Sequence, residues 1–357
     1  MKKRLTKDLL YSTYKKIQRE YRETAKFKKR LKLIDGGYKG TKKEYKEVVL
    51  TYWEKYGIKP DRLWYAFYCN GKGKYDPRFV PESLWVSTIR RYFNDMSMIR
   101  AYADKGMLNR LFPTVKKPET IAKNIGGYFF DGDGEHLISR EEAEALCLQE
   151  DHLIFKPSLD TYGGSGIVFY DKENAAQSIH ELFDRFGTNF VVQRILRQHP
   201  DLSRLNDSSL NTVRVLSLHF KDEVHILSAV LRIGGKGSRV DNIGSGGCAC
   251  PINPDGSLTG KGVTRQSVWM DESPTGVKLD TITVPSYQAV LDTTKRIHPT
   301  LPYFDLIGWD FAVDEQGEPV LIEFNLEPGQ NQIVCGPTFG ELSEDVFEAV
   351  FINKTPK

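Results

Sequence analysis

Three oxygen-bearing side chains near the end of the chain, those of Asp310, Glu323 and Asn325, could together hold a metal ion. They belong to residues 306–325, a segment typical of two antiparallel strands joined by a tight turn at Gln316-Gly317. If that turn is a two-residue loop, Asp310 lies directly opposite Glu323, and Asn325 points to the same face. Two carboxylates at that spacing repel each other unless a hard divalent cation neutralises them. The alternative is an exposed hairpin with scattered acidic residues.

A lysine and a glycine-rich loop form a second set, which could bind an anion. Lys156 ends the predicted strand Ile154-Phe155-Lys156, and the loop after it leads into the β-like residues 167–170. Because glycine has no side chain, the backbone N–H groups of such a loop can approach a phosphate closely. Neither a GxxxxGK(S/T) nor a GxGxxG motif occurs, so a plain hairpin loop is the alternative. The loop residues concerned are Gly163, Gly164, Ser165 and Gly166.

In their order along the chain, from about residue 100 to 340, these residues resemble the ATP-grasp superfamily. Lys105 is similar to a family lysine that reaches the nucleotide phosphates, and Lys156 to a second lysine on the strand before a glycine-rich flap. The segment Val191–Leu196 resembles the strand whose backbone reads the adenine edge. The resemblance implies ATP and Mg²⁺ as cofactors. The implied metal ligands are Asp310, Glu323 and Asn325, and the implied nucleotide-binding residues are the two lysines, the four loop residues, Gln193, Arg194 and Ile195.

Two further segments resemble parts of the family that act on the substrate. Arg214 lies in a segment similar to the one that supplies a phosphate- or substrate-binding arginine. Arg239 and Asn242 lie in residues 238–247, which resemble a stretch of the amide-forming members. The arginines are candidates for stabilising the developing charge or an acylphosphate, and Asn242 for orienting a phosphate oxygen. The alternatives are salt bridges for these arginines and for Arg232, and a turn-forming role for Asn242.

One subgroup, the sugar-transfer-associated ATP-grasp proteins, resembles the chain most in residues 198–214. Its members are generally linked to surface-polysaccharide synthesis. The resemblance implies a Mg-ATP-dependent carboxylate–amine ligase that forms an amide through an acylphosphate, on a sugar acid or an amino acid. The implied partners are a small-molecule or lipid-linked sugar and an amine co-substrate. A small-molecule phosphotransferase and a non-catalytic nucleotide-binding scaffold are the alternatives, because both would keep the nucleotide contacts.

The elements that position these residues change in character along the chain. Helical patterns fill the first 100 residues, and short strands begin at about residue 113. Helices first and sheets later predict an α+β protein, and the resemblance implies an ATP-grasp fold of two α+β subdomains that clamp ATP. The predicted divisions are a helical region over 1–100 and subdomains over 101–192 and 193–357. Classical family members have a Rossmann-like substrate domain where this chain has basic helices.

The composition predicts a soluble protein of the cytoplasm. The 357 residues are 40% hydrophobic and 27% charged, which is typical of globular proteins. The sequence lacks a run of about 18 apolar residues, which would predict a membrane span. It also lacks an apolar block after Met1, which would predict a secretory signal. The five cysteines are scattered, without a CxxC pair, which favours a reducing compartment.

Positive charge is concentrated at the start of the chain. Residues 1–60 hold 19 Lys and Arg against 7 Asp and Glu, a balance of +12, so the remainder carries −9 within the net +3. A solvated helix face is one explanation. Peripheral contact with anionic lipid at the inner face of the membrane, where a lipid-linked sugar would be found, is another. Nucleic acid is disfavoured, because no nucleic-acid motif occurs and the rest of the chain is acidic.

Overall fold

The computed structural model describes residues 2–32, 37–70, 72–161, 163–241 and 243–353. It contains two antiparallel sheets with helices packed around them, and the elements given by range below for its first 100 residues are helices and helical turns joined by loops. The predicted α+β class and the helical N-terminal region are therefore confirmed. No helix in the described part of the chain is both long and apolar enough to cross a membrane.

The first sheet has six strands in the order β3-β2-β1-β6-β4-β5. Its strands are β1 (Thr120–Ile125), β2 (Tyr128–Asp131), β3 (Leu137–Ile138), β4 (His152–Pro157), β5 (Val168–Asp171) and β6 (Phe190–Arg194). The second sheet has seven strands in the order β11-β10-β9-β8-β7-β12-β13. Its strands are β7 (Thr212–Phe220), β8 (Glu223–Ile233), β9 (Cys248–Pro251), β10 (Gly262–Thr264), β11 (Trp269–Met270), β12 (Leu306–Val313) and β13 (Pro319–Asn325).

Fourteen α-helical segments are described, several of them continued by π-helical turns. Before the first sheet lie α1 (Lys2–Leu31), α2 (Lys42–Glu44), α3 (Thr51–Glu54), α4 (Arg62–Tyr68), α5 (Glu82–Leu84), α6 (Arg90–Phe93), α7 (Ile99–Tyr102) and α8 (Leu108–Leu111). After them come α9 (Arg140–Leu148), α10 (Ile179–Phe186), α11 (Pro200–Ser203), α12 (Tyr287–Ile297), α13 (Gln332–Cys335) and α14 (Ser343–Phe347). The π-helical turns are Tyr45–Leu50, Trp85–Ile89 and Glu348–Asn353.

The helices of the first sheet begin where short polar side chains cap them. Ser178 accepts a hydrogen bond from the backbone N–H of Glu181, and the Glu181 side chain accepts one in return from the backbone of Ser178. This capping box satisfies backbone donors that the first helical turn leaves without partners. The helix α10 therefore begins at Ile179, directly after the capping serine.

The N-terminal helices share one hydrophobic core with the second sheet and the C-terminal helices. Trp53 is fully buried, and its ring centroid lies 4.8 Å from that of Phe347 in α14. Leu216 of β7 and Leu306 of β12 belong to the same cluster of buried side chains. A second cluster fills the other side of this sheet under α12, and a third joins the first sheet to α9 and α10.

The terminal hairpin has the predicted pairing of Asp310 with Glu323, but its turn and its register differ from the prediction. Asp310 pairs with Glu323 as expected, whereas the two-residue turn at Gln316-Gly317 is wrong. Three residues, 315–317, connect Asp314 to Glu318, whose backbone groups hydrogen bond at 3.1 Å. An irregularity between Asp310 and residue 311 adds one residue to β13 and restores the register.

Candidate functional site

Three charged side chains form a row across neighbouring strands of the second sheet. Asp310 on β12 pairs with Arg214 on β7 at one side and with Glu323 on β13 at the other. Both carboxylate oxygens of Asp310 accept hydrogen bonds from Arg214, one of them at 2.5 Å. Arg232 on β8 adds a third hydrogen bond, from Nη1 to Oδ2 at 3.2 Å. The Asp310 charge, only 2% exposed, is therefore compensated by two guanidinium groups.

The two carboxylates of the row differ in their electrostatics. Burial alone would raise the pKa of Asp310, but the charges of Arg214 and Arg232 lower it. Burial and the neighbouring charge of Asp310 raise the pKa of Glu323 instead. The carboxyl group of Glu323 is thus the one whose negative charge the surrounding protein compensates least.

A second ion pair extends the network behind the row. Arg232 donates from Nη2 to Oδ1 of Asp241 at 3.3 Å, and the Thr212 hydroxyl donates to the other oxygen. Burial raises the pKa of Asp241, although Arg232 opposes that effect. Arg232 therefore bridges two carboxylates and holds them in fixed positions.

Two lysines carry positive charge toward this row. The Lys156 ammonium donates to Oε1 of Gln193 at 3.0 Å, and the Lys105 ammonium donates to the Thr161 hydroxyl at 3.2 Å. Burial lowers the pKa of Lys156 to about 8, against the opposing effect of Glu323. Both lysines thus donate to neutral oxygen atoms, an amide and a hydroxyl, so their positive charge can serve a bound anion.

The glycine-rich loop packs closely against Val240 and Pro157. It connects β4 to β5, which pair as an antiparallel hairpin, as the strand–loop–strand prediction requires. Gly164 and Gly166 have φ angles of +78° and +77°, which favour glycine. A Cβ atom on Gly164 would lie 3.0 Å from Val240, and one on Gly166 would lie 2.9 Å from Pro157. The loop backbone therefore packs where side chains have no room.

The segment predicted to read the adenine edge, Val191–Leu196, begins in β6 and ends beside the glycine-rich loop. Gln193 and Ile195 line a cavity together with the glycine loop. The Arg194 side chain points to Glu119 and Glu150, and two of its nitrogens donate to Glu150 at 2.8 and 2.6 Å. Its guanidinium group is thus engaged in exposed ion pairs, which leaves the predicted contribution of Arg194 to its backbone.

Two adjoining cavities meet at the row. The first, about 450 Å³, is lined by the glycine loop, Lys156 and residues 193–198, and we call it the glycine-loop cavity. The second, about 650 Å³, is lined by Arg91, Arg100, Arg214, Arg232 and Asn325, among others, and we call it the arginine cavity. Lys105 and Glu323 line both cavities.

The remaining predicted substrate residues lie apart from Arg214. The Arg239 guanidinium lies 3.8 Å from the centroid of the Phe169 ring, on the wall of the glycine-loop cavity. Arg214 lines the arginine cavity, so the structure places the two arginines at different cavities. Asn242 lies outside the described residues.

Sequence reasoning did not assign roles to three residues of the site. Thr161 holds Lys105, Asp241 anchors Arg232, and Phe169 lies under Arg239. A signal for Asp241 was its position two residues after Arg239, inside the segment already singled out. No local pattern marks Phe169, because its role depends on which loop folds over β5.

The residues of the row fit a magnesium ion. Glu323 and Asn325 lie two residues apart on β13, both line the arginine cavity, and their oxygens suit a hard cation. Asp310 could add only the lone pairs that its guanidinium partners leave. Among the described residues, no group of three or more His, Cys, Asp or Glu side chains could hold a metal ion. A cation here would therefore need the amide of Asn325 and phosphate oxygens to complete its shell.

Comparison with known families gives one match. A family model described as sugar-transfer-associated ATP-grasp matches residues 87–344, well over half of the chain. The match includes every predicted site residue, and it confirms the resemblance inferred from the sequence. A comparison with curated proteins found no match.

Several solved structures are similar to the chain at low identity. A biotin carboxylase complex from Campylobacter jejuni is 10% identical over 72% of this chain and 48% of its own, with a TM-score of 0.46. D-alanyl-alanine synthetase A from Vibrio cholerae is 13% identical over 71% of this chain and 66% of its own, with a TM-score of 0.41. The chain thus spans about half the length of the carboxylase. At these scores, the similarity assigns no function.

Proposed function

The chain belongs to the sugar-transfer-associated ATP-grasp family, and we propose that it is a Mg-ATP-dependent ligase that joins a carboxylate to an amine and releases ADP. ATP and Mg²⁺ as cofactors agree with that family. The observation that carries the proposal is the junction of the two cavities at Lys105 and Glu323. With this arrangement, a nucleotide and an acid would occupy separate cavities that share the charged residues Lys105 and Glu323.

The glycine-loop cavity is proposed to bind the nucleotide. The backbone at the end of β6, at Gln193 to Ile195, would meet the adenine edge, and Lys156 and the loop N–H groups would meet the phosphates. Lys105 at the junction would meet the terminal phosphate. Phosphoryl transfer depends mainly on positioning and charge compensation, which is what these groups provide.

Mg²⁺, held by Glu323, Asn325 and the remaining lone pairs of Asp310, would neutralise charge on the terminal phosphates. The raised pKa of Glu323 supports this assignment, because a nearby cation would remove the cost of keeping that carboxylate charged. Arg214 and Arg232 keep Asp310 ionised and fix its position. The Asp310 carboxylate oxygens are thereby held in fixed positions at the junction.

The arginine cavity is proposed to bind the acid. An oxygen of its carboxylate attacks the γ-phosphorus, the bond to the leaving ADP breaks, and an acylphosphate forms. The amine then attacks the acyl carbon, the amide bond forms, and phosphate leaves. Arg91, which lines this cavity, and Arg214, at its edge, offer guanidinium groups that match carboxylate and phosphate oxygens.

A sugar acid or an amino acid is the proposed acid, supplied as a small molecule or as a lipid-linked sugar, with a separate amine co-substrate. The description of the family as sugar-transfer-associated supports the sugar, and with it a role in surface-polysaccharide synthesis. All five cysteines are free thiols, which suits a reducing cytoplasm as the proposed site of action.

The test is a screen of uronic acids against amino acids with the purified full chain, Mg²⁺ and ATP. We expect ADP release only when both acid and amine are present, and a product lighter than their sum by one water. Release of AMP and pyrophosphate would overturn the proposal. A product heavier by one phosphate would assign a phosphotransferase, and tight ATP binding without turnover would assign a scaffold.

Matched variants connect that activity to the row. Glu323→Gln removes one charge with little change of shape, and we expect it to abolish turnover at every Mg²⁺ concentration. Glu223→Gln makes the same change at an exposed position of the same sheet and should leave turnover unaltered. Equal turnover in both variants would show that the reaction does not use the row.

A further inference from the structure

The outer side of α1 carries an apolar stripe that belongs to none of the hydrophobic clusters in the described part of the chain. Tyr14, Ile17 and Tyr21 are 55%, 59% and 76% exposed. Their spacings of three and four residues place them on one side of the helix, one above the other. We call these three residues the α1 stripe. Exposed aromatic and aliphatic side chains in a continuous row are unusual unless the surface binds something.

A neighbouring side of α1, which faces the other helices, attaches it to the protein. Phe27 is buried, and its ring centroid lies 3.9 Å from that of Trp64 and 4.5 Å from that of Phe67. The Ser87 hydroxyl donates to the Glu20 carboxylate at 2.9 Å. Since packing and hydrogen bonding use this inner side, folding does not require the α1 stripe to be apolar.

Positive charge surrounds the stripe. The 30 residues of α1 include 12 Lys and Arg and 3 Asp and Glu, a balance of +9. Lys16, Arg22, Lys28 and Lys29 are exposed. A helix with an apolar row flanked by basic side chains is the type that lies in the interface of an anionic membrane.

We propose that α1 docks on an anionic lipid surface, with the α1 stripe inserted among the headgroups and the basic side chains against lipid phosphates. A second copy of this chain is a poorer occupant, because two helices of charge +9 repel each other. Nucleic acid is also poorer, because its phosphates would meet an apolar row at the centre of the surface.

The docking helix adjoins the arginine cavity. Ser87, which donates to Glu20 of α1, lies in the π-helical turn that continues into α6, and Arg91 of α6 lines that cavity. The membrane-facing helix and the proposed acid site are thus neighbours, which suits an acid attached to a lipid. This last step rests on the proposed function, whereas the docking of α1 does not.

The experiment is sedimentation of the full chain with vesicles of phosphatidylcholine, with or without phosphatidylglycerol. We expect binding to the anionic vesicles only, weaker as salt rises. The triple variant Tyr14→Ser, Ile17→Ser, Tyr21→Ser should bind at least about tenfold more weakly, because the apolar area that enters the interface is lost. The control variant Tyr128→Ser, Leu137→Ser alters two side chains that are each 66% exposed on the first sheet, and should bind normally.

Circular dichroism and thermal unfolding first establish that both variants are folded. Vesicle binding that survives in the triple variant would overturn the proposal. So would tighter binding to duplex DNA than to anionic vesicles, or a dimer that dissociates in the triple variant. The assay needs no substrate and no turnover, so absence of ligase activity would leave its result intact.

Discussion

At the scale of single residues, Lys156 makes nucleotide binding sensitive to pH. Its pKa is lowered to about 8 by burial, so the ammonium is largely charged at pH 7 and largely neutral at pH 9. A neutral amine attracts phosphate less, so we expect the Kd for Mg-ATP to increase roughly tenfold over that range. In Lys156→Arg, whose guanidinium stays charged, the Kd should vary less with pH. Calorimetry at several pH values measures both slopes, and parallel slopes would exclude Lys156 as the cause.

Arg214 has a structural role that can be separated from any role in binding. Its removal leaves Asp310 buried with only Arg232 as a cationic partner. We expect Arg214→Met to lower the free energy of unfolding by about 3 kcal/mol or more, because an uncompensated buried charge is costly. Arg194→Met removes exposed ion pairs and should cost about 1 kcal/mol or less.

Urea unfolding without nucleotide measures both changes. Adding Asp310→Asn to the Arg214→Met variant removes the buried charge, so it should recover part of the lost stability. A double variant less stable than Arg214→Met itself would mean that the lost packing, and not the unpaired charge, is the main cost.

At the scale of elements, the terminal hairpin shows how far sequence reasoning reaches. The pairing of Asp310 with Glu323 was predicted correctly from an incorrect turn, because the longer turn and the bulge in β13 shift the register in opposite directions. Strand patterns and turn residues are local properties, which one sequence contains. A bulge depends on contacts with neighbouring strands, and a single sequence does not contain that information.

The position of Arg214 beside Asp310 is the clearest feature that the sequence could not supply. β7 and β12 are neighbours in the sheet although 85 residues separate the end of one from the start of the other. Such pairings between distant segments follow from the whole fold and leave no periodic pattern. The order of lysine, glycine loop and acidic residues was predictable, because each lies within a short recognisable segment.

Gly317 tests the geometry of this turn. Its φ angle is +80°, a conformation that strains any residue with a Cβ atom. We expect Gly317→Ala to lower the free energy of unfolding by roughly 1–2 kcal/mol. Gly329→Ala is the control, because that glycine has neither a positive φ nor an atom within 4 Å of an added Cβ. Urea unfolding of the two variants should differ, and equal stabilities would argue against the three-residue turn.

At the scale of the whole molecule, the N-terminal helices complete the structure that carries the site. Leu216, Leu218 and Leu306 are at most 1% exposed, and they share a core with the helices of the first 100 residues. β7 and β12, which hold these leucines, also hold Arg214 and Asp310. The N-terminal helices therefore pack on the same face of β7 and β12 as the row, next to it along the strands.

Removal of residues 1–100 takes Arg91 and Arg100 out of the arginine cavity and should also destroy the rest of the site. Exposing three leucines alone costs about 2 kcal/mol each, together a large part of the stability of a typical domain. We expect the 101–357 fragment to lack a cooperative unfolding transition and to bind no Mg-ATP. The full chain should unfold cooperatively and bind Mg-ATP. A monomeric fragment with normal Mg-ATP affinity would mean that the second sheet holds its charged row without the helices packed beside it, and that the helical region is an independent attachment.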